Sequence, residues 1–528
     1  MKRDRAPSAE LTGERAADVK LVAKGGATQI LGQIVQKGLT FVFVALVVRF
    51  LGTADYGIYR QVFQVLTVAM TLAAGGFPVA AVRFIARARA AGDPSAARGA
   101  ARVALTATAA AGMVVFAVGV LTADRLAAAF ADSQSGVEYL AFLFRVGAAY
   151  VPLYACMQVM RLCTQAYKTM TPSVVVGNII VPIARFLLSV IALLAGFAVT
   201  GAIVALVLSA GIGLLAGLWY YGRLLTDEDR VAPPRWEVGP MLRFAFPQAG
   251  ATFFSTQSLG LGVILVGLFG LDREVGIYGI AQSLQLAGGL FLGSVVGIWG
   301  PMVVDIYEQG DLGRLQSLYQ TINRWVATFS LPIFAALILQ PELFVTIIGG
   351  QKGAGAAVLV PILAAGNIFF VGTGPSGYLL SMTGRPVLNL ANSIVSVGLY
   401  VGLGILVVPT YGAIGMAVVD TSVTILINVA KAIEGKIFVG VQPFGRTFLK
   451  PVAATLAASS ILLIWRVALG SSAMTALVGL ILAGVVYVGI LRLLGLDPQE
   501  ELVIGTVKKR VTGMLRRSKG DAGSSSDG

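Results

Sequence analysis

Residues 26–51 read GATQILGQIVQKGLTFVFVALVVRFL and run on into residues 51–59, LGTADYGIY. The first stretch is long and apolar enough to cross a bilayer, which takes about 20 mostly apolar residues in a helix. Gly52 and the polar residues after it close that helix. Within the span, Gln29, Gln33, Gln36, Lys37 and Thr40 recur at spacings of 4, 3, 1 and 3, which places them on one helical stripe. A Lys at the centre of a membrane helix costs about 2.5 to 3.5 kcal/mol on insertion scales, so a span with such a stripe faces a wet interior in a bundle of spans.

The rest of the chain supplies that bundle. Of 528 residues, 56% are hydrophobic and only 12% are charged, against roughly 25% charged in a soluble domain. The 64 glycines suit helices that pack closely in a membrane. Apolar runs between charge clusters predict spans near 26–51, 56–82, 100–122, 138–162, 173–196 and 199–222. After the polar break at 226–237 (TDEDRVAPPRWE) further spans fall near 241–269, 275–303, 319–340, 355–383, 387–408, 411–435, 448–469 and 472–495. The predicted fold is all-α and polytopic, with about 14 transmembrane helices in two six-helix lobes plus two C-terminal helices. Its segments are an amino-terminal arm (1–24), a first lobe (25–225), a linker (226–240), a second lobe (241–436), spans 13 and 14 (447–495) and a polar tail (496–528).

Basic residues in short loops orient such a protein. Arg83, Arg87, Arg89, Arg98 and Arg102, then Arg161 and Lys168, then Arg223, Arg230 and Arg235 fall on the same side as Lys20, Lys24 and the tail. Both termini are therefore expected in the cytoplasm, in the cytoplasmic membrane. The excess of 40 Lys and Arg over 26 Asp and Glu is the signature of that asymmetry, so no nucleic-acid partner is inferred. Histidine is absent, which removes the usual general base and metal ligand. With no clustered carboxylates and no large outer loop, neither a membrane enzyme nor a metal or cofactor site is expected. Cys156 and Cys163 lie two helical turns apart on one span, too far for a disulfide.

The halves repeat. Gly57-Ile58-Tyr59 matches Gly276-Ile277-Tyr278 at an offset of 219, Pro172 and Asn178 match Pro386 and Asn392 at 214, and Gly201-Ala202-Ile203 matches Gly412-Ala413-Ile414 at 211. Six spans separate equivalent positions, so the halves share orientation and are related by an axis along the membrane normal.

At Phe50-Leu51-Gly52-Thr53-Ala54-Asp55-Tyr56-Gly57-Ile58-Tyr59, followed by a second span carrying Gly75-Gly76-Phe77-Pro78 and Arg83, the chain resembles the polysaccharide-exporting flippases of the multidrug, oligosaccharidyl-lipid and polysaccharide (MOP) exporter superfamily. The resemblance implies alternating-access transport of a polyprenyl-diphosphate-linked oligosaccharide, with membrane lipids and polysaccharide biosynthesis proteins as partners. A lipid II flippase and a multidrug antiporter of the same superfamily are the alternatives. Four basic residues lie too deep for loops and suit a diphosphate: Lys37, Arg60, Arg145 and Arg185. Gln33, Gln64 and Asn178 share their stripes as cavity lining, Gln64 at i+4 from Arg60, and Asn178 seven residues before Arg185. Snorkelling to the interface is the competing reading of Arg60 and Arg145, and pairing with a carbonyl or carboxylate that of Lys37. In the second lobe, Asp420 near mid-span is either an ion-coupling site or a structural partner of a basic residue.

Overall fold

The structure, a computed structural model, describes residues 8–130, 136–167, 169–254, 260–269, 272–289, 291–292, 302–304, 306–470 and 472–495, without the side chains of 8–27, 30, 251–252 and 286–287. Lys168, Gln257, Pro301, Asp305, the tail and the side chains of Lys20 and Lys24 lie outside the described residues. Every regular element described is helical. Those in the order of the chain are α1 (Ser8–Leu51), α2 (Thr53–Ala74), α3 (Phe77–Ala90), α4 (Pro94–Leu121), α5 (Ala123–Phe130), α6 (Val137–Ala148), α7 (Tyr150–Cys163) and α8 (Thr171–Val174). A π-turn, Val175–Ile180, leads from α8 into α9 (Val181–Leu194), followed by α10 (Ala198–Leu224) and α11 (Asp227–Val231). The second half holds α12 (Val238–Phe253), α13 (Leu261–Phe269), α14 (Asp272–Gly288), α15 (Leu312–Leu339), α16 (Pro341–Gly349), α17 (Leu359–Gly372), α18 (Ser376–Met382) and α19 (Pro386–Glu434). Two further helices, α20 (Leu449–Leu469) and α21 (Ala473–Leu493), belong to a second compact unit, Arg446–Gly528.

Eleven helical runs among the described residues are long and apolar enough to cross a membrane. One of them, Pro386–Val439, holds two predicted spans, because Gly412 (φ 54°, ψ −139°) breaks α19 where they join. That conformation lies in the left-handed region open to glycine. The Glu274 carboxylate accepts the Ala413 amide at 2.7 Å and caps the helix that restarts there. Predicted spans seven and eight contain residues outside the described set, and their described pieces are each too short to count. Leu121, Phe246, Val467 and Leu493 are among many exposed apolar side chains, as a lipid solvent allows.

Glycine sets where the lobes meet. A Cβ on Gly57 of α2 would lie 1.8 Å from the Asp272 carbonyl oxygen, and one on Gly276 of α14 would lie 1.9 Å from the Thr53 carbonyl oxygen. The two contacts are images of each other, since the offset of 219 carries Gly57 to Gly276 and Thr53 to Asp272, as a two-fold relation between the halves requires. The crossing lies near the α1–α2 turn, the turn end of the bundle. The opposite end, where the arm enters α1, is the arm end. Beside the crossing, Arg49 donates to the Ile347 and Ile348 carbonyls (2.7 and 3.3 Å), the last turn of α16. Lys352 returns the contact to the Arg49 and Phe50 carbonyls (3.1 and 3.3 Å) at the end of α1. Each cation thus sits on carbonyls that helix geometry leaves unpaired, at the negative end of the helix dipole.

Candidate functional site

Arg185 of α9 sits in an aromatic box. Its guanidinium lies 4.8 Å from the Phe43 ring of α1, and 4.6 and 5.5 Å from the Phe63 and Tyr59 rings of α2. It also donates a hydrogen bond to the Tyr59 hydroxyl. Phe63 and Tyr59 are near-parallel (3°, 6.1 Å), as the i, i+4 spacing on α2 dictates. Tyr150 and Tyr154 of α7 extend the wall, with ring centres 4.8 Å apart. Arg185 is half-buried, and its Nε is buried without a partner. Three ring faces supply a cation with quadrupole attraction without neutralising it, so its charge stays available to an anion.

Arg60 lies 6.0 Å from the same Phe63 ring and donates to Gln282 Oε1 of α14 at 3.2 Å. It therefore reaches across the lobe interface rather than snorkelling. Neither Arg60 nor Arg185 forms an ion pair among the described residues. Gln64 is buried one turn along, its amide packed against Gly260 at the start of α13. Asn178 is buried in the π-turn against Gly32 of α1. On α1, Gln33 and Lys37 are half-buried between Gly32, which meets Asn178, and Phe43, which meets Arg185. Lys37 makes no ion pair or hydrogen bond among the described residues, so its predicted pairing with a carboxylate or carbonyl is not found.

Arg145 is not brought to these residues. The short helix α5, which the sequence reads as loop, carries Asp124 to it at 2.6 Å, and both side chains are exposed. An aqueous carboxylate is a better partner for that cation than a cavity it would have to be desolvated to reach.

The second lobe presents the opposite charge. The Asp420 carboxylate on α19 accepts from Tyr278 (2.9 Å), from Tyr400 and from Thr424 (3.3 Å). All three donors are hydroxyls, and among the described residues no basic residue pairs with it. Tyr278 is the repeat equivalent of Tyr59. The same position therefore serves Arg185 in one lobe and Asp420 in the other.

Residues 22–307 match a family described as polysaccharide biosynthesis protein. The chain belongs to that family. Among solved structures this family member resembles the lipid II flippase MurJ in an inward closed conformation, with a TM-score of 0.72 at 10% identity, covering 87% of this chain and 97% of that one. It also resembles an inward-facing multidrug resistance MATE family transporter of the MOP superfamily (0.66, 16%, 76% and 94%). A third likeness is to a MOP superfamily transporter from Pyrococcus furiosus (0.60, 16%, 80% and 96%). The chain shares the fold of these transporters. No curated protein matches the sequence.

In the sequence of this family member the charges are conspicuous and their setting is not. Phe43, Tyr59, Phe63 and Tyr150 read as ordinary apolar positions of a membrane helix, and only the i, i+4 pair Tyr59 and Phe63 flanking Arg60 was a signal for the box. Gln61 went unremarked as well. It is fully buried against Gly267 of α13, with both amide atoms unpartnered. In the sequence Gln282 reads as no more than a polar residue of the second lobe, because its partner Arg60 is 222 residues away.

Proposed function

We propose that this protein is a flippase that moves a polyprenyl-diphosphate-linked oligosaccharide across the cytoplasmic membrane by alternating access, for polysaccharide biosynthesis. The observation that carries the reading is the pair of guanidiniums at Phe63, inside a membrane bundle, held by rings and amides and by no carboxylate. An uncompensated cation in that setting is costly unless an anion visits it. A diphosphate suits it, because a guanidinium fork takes two phosphate oxygens at once. Lys37, half-buried on α1, adds a point charge, while Gln33, Gln64 and Asn178 offer amides to sugar hydroxyls. Arg145 has no part, since Asp124 holds it.

Family membership supports a role in polysaccharide biosynthesis, and both termini on the cytoplasmic side follow from the basic loops. Asp420, set among hydroxyls, is the coupling site for a cation or proton in this reading. Native mass spectrometry of the full chain in mild detergent tests the proposal. Wild type should retain a polyprenyl-diphosphate glycan, whose mass separates an oligosaccharide carrier from lipid II, and R185A and K37A should lose it. Retention of bulk phospholipid only, or equal retention by the variants, would overturn the reading.

A further inference from the structure

At the arm end, α3 of the first lobe packs beside α12, the first helix of the second lobe. Gly76, just before α3, is so close to α12 that a Cβ there would lie 2.1 Å from the Ala245 carbonyl oxygen. Next to this contact is a cavity of about 280 Å3 lined by Arg83, Phe84, Arg87, Pro240, Arg243 and Phe244. Half of its lining is arginine and none of it is acidic. All three arginines are exposed, and among the described residues none makes a side-chain hydrogen bond or ion pair. Arg83 lies 4.5 Å from the Phe244 ring, and Phe84 meets Phe244 edge-on at 6.3 Å.

Asp93 and Glu237 line an adjoining cavity that shares Phe84 and Arg87 with this one, but their ion pairs, at 2.8 and 2.9 Å, are with Arg235 and not with Arg83, Arg87 or Arg243. The Ala96 amide, with Arg235, keeps the Asp93 carboxyl below the usual carboxylate range, so it stays ionised and committed to that pair. Three like charges in one pocket repel one another unless an anion joins them.

Depth indicates the kind of anion. At ~1.5 Å per residue, the 22 residues of α2 span about 33 Å, enough to cross a hydrocarbon core about 30 Å thick. The chain breaks at Gly75 and Gly76, so α3, which carries Arg83 and Arg87, follows a helix already long enough to cross, and its arginines are expected at headgroup level. One turn from the arginines, Val79, Leu242 and Phe246 present exposed apolar side chains, the surface an acyl chain would follow. Basic pockets between membrane helices at this level are suited to phosphate headgroups.

We propose that this pocket binds a phosphate headgroup, supplied by an anionic lipid of the bilayer, and that the bound headgroup ties α3 of one lobe to α12 of the other. The site is separate from the Arg185 box and does not rest on the transport reading. Its test uses the full chain in mild detergent, titrated with phosphatidylglycerol or phosphatidylcholine and followed by native mass spectrometry. Each of R83Q, R87Q and R243Q should weaken phosphatidylglycerol retention about five-fold, the equivalent of ~1 kcal/mol per basic residue. The triple variant should show no preference over phosphatidylcholine, while R125Q, a charge-matched change outside the pocket, should behave as wild type. Should the triple variant fail to fold, the three single variants carry the test. Millimolar pyrophosphate displacing phosphatidylglycerol would show that the phosphate is what is recognised. Binding of pyrophosphate without any retained phosphatidylglycerol would overturn the lipid as the source. Equal retention of both lipids by wild type, or phosphatidylglycerol retention unchanged in the triple variant, would overturn the site.

Discussion

The two lobes carry the same tyrosine to opposite ends. In the first lobe Tyr59 accepts a hydrogen bond from Arg185, and in the second its repeat equivalent Tyr278 donates one to Asp420. A hydroxyl both donates and accepts, so one conserved backbone geometry can support a cation on one side of the two-fold and an anion on the other. The surroundings differ in the same sense. Arg185 is enclosed by ring faces, which attract a cation without discharging it, whereas Asp420 is ringed by hydroxyls, which stabilise a carboxylate. The two repeat positions thus share one frame and face opposite charges. In the proposed function, the first takes the substrate's phosphates and the second couples its movement to an ion.

The frame itself is the first place to break this comparison. In G57V a side chain would enter the space of the Asp272 carbonyl at the two-fold crossing, where overpacking alone costs about 1–3 kcal/mol and main chain cannot yield as a side chain can. Loss of the monodisperse peak in fluorescence-detected size exclusion, with G276V matching it, is the expected result. The substrate side comes next. R185A should weaken retention of a diphosphate carrier by about 10- to 100-fold, the range of a charge-assisted hydrogen bond of ~1.5–3 kcal/mol. R185K should fall between, because an ammonium lacks the fork.

The tyrosines separate the two roles. Y59F should weaken carrier binding about five-fold, by the ~1 kcal/mol of one hydrogen bond, and leave the ion dependence of transport in vesicles unchanged. Y278F should do the reverse, moving the ion dependence and leaving carrier binding within two-fold of wild type. R145A should change carrier binding least, since an exposed ion pair contributes about 0–1 kcal/mol and Arg145 lies outside the box. An effect of R145A as large as that of R185A would return it to the substrate site.

Much of this frame could be read from the chain because its signals are local. Apolar runs set the spans and Gly52 and Gly412 mark where two of them end, while the break at Gly75 falls inside the predicted span 56–82 and shows only in the structure. The repeat of Gly57-Ile58-Tyr59 in Gly276-Ile277-Tyr278 placed the halves in parallel, and the structure brings those very glycines into contact. Lys37 and Arg185 stand out because a charge near mid-span needs a reason. What stayed hidden depends on distant partners. The carboxylate that takes Arg145 sits on α5, a helix too short and mixed to separate from a loop. The π-turn at Asn178 carries no residue pattern of its own, and it shifts the phase of everything after it. The donors to Asp420 come from Tyr278 and Tyr400, 142 and 20 residues away, and a tyrosine in an apolar helix reads as core until its hydroxyl is placed.

Equilibrium binding of a polyprenyl diphosphate against the uncharged polyprenol of the same chain length, in wild type, R185A and D420N, addresses the division of charge between the lobes most directly. Wild type and D420N should prefer the diphosphate by about 100-fold, the equivalent of ~2.7 kcal/mol, and R185A should lose most of that preference. Equal affinity of wild type for the two lipids, or a preference that survives in R185A and vanishes in D420N, would contradict it.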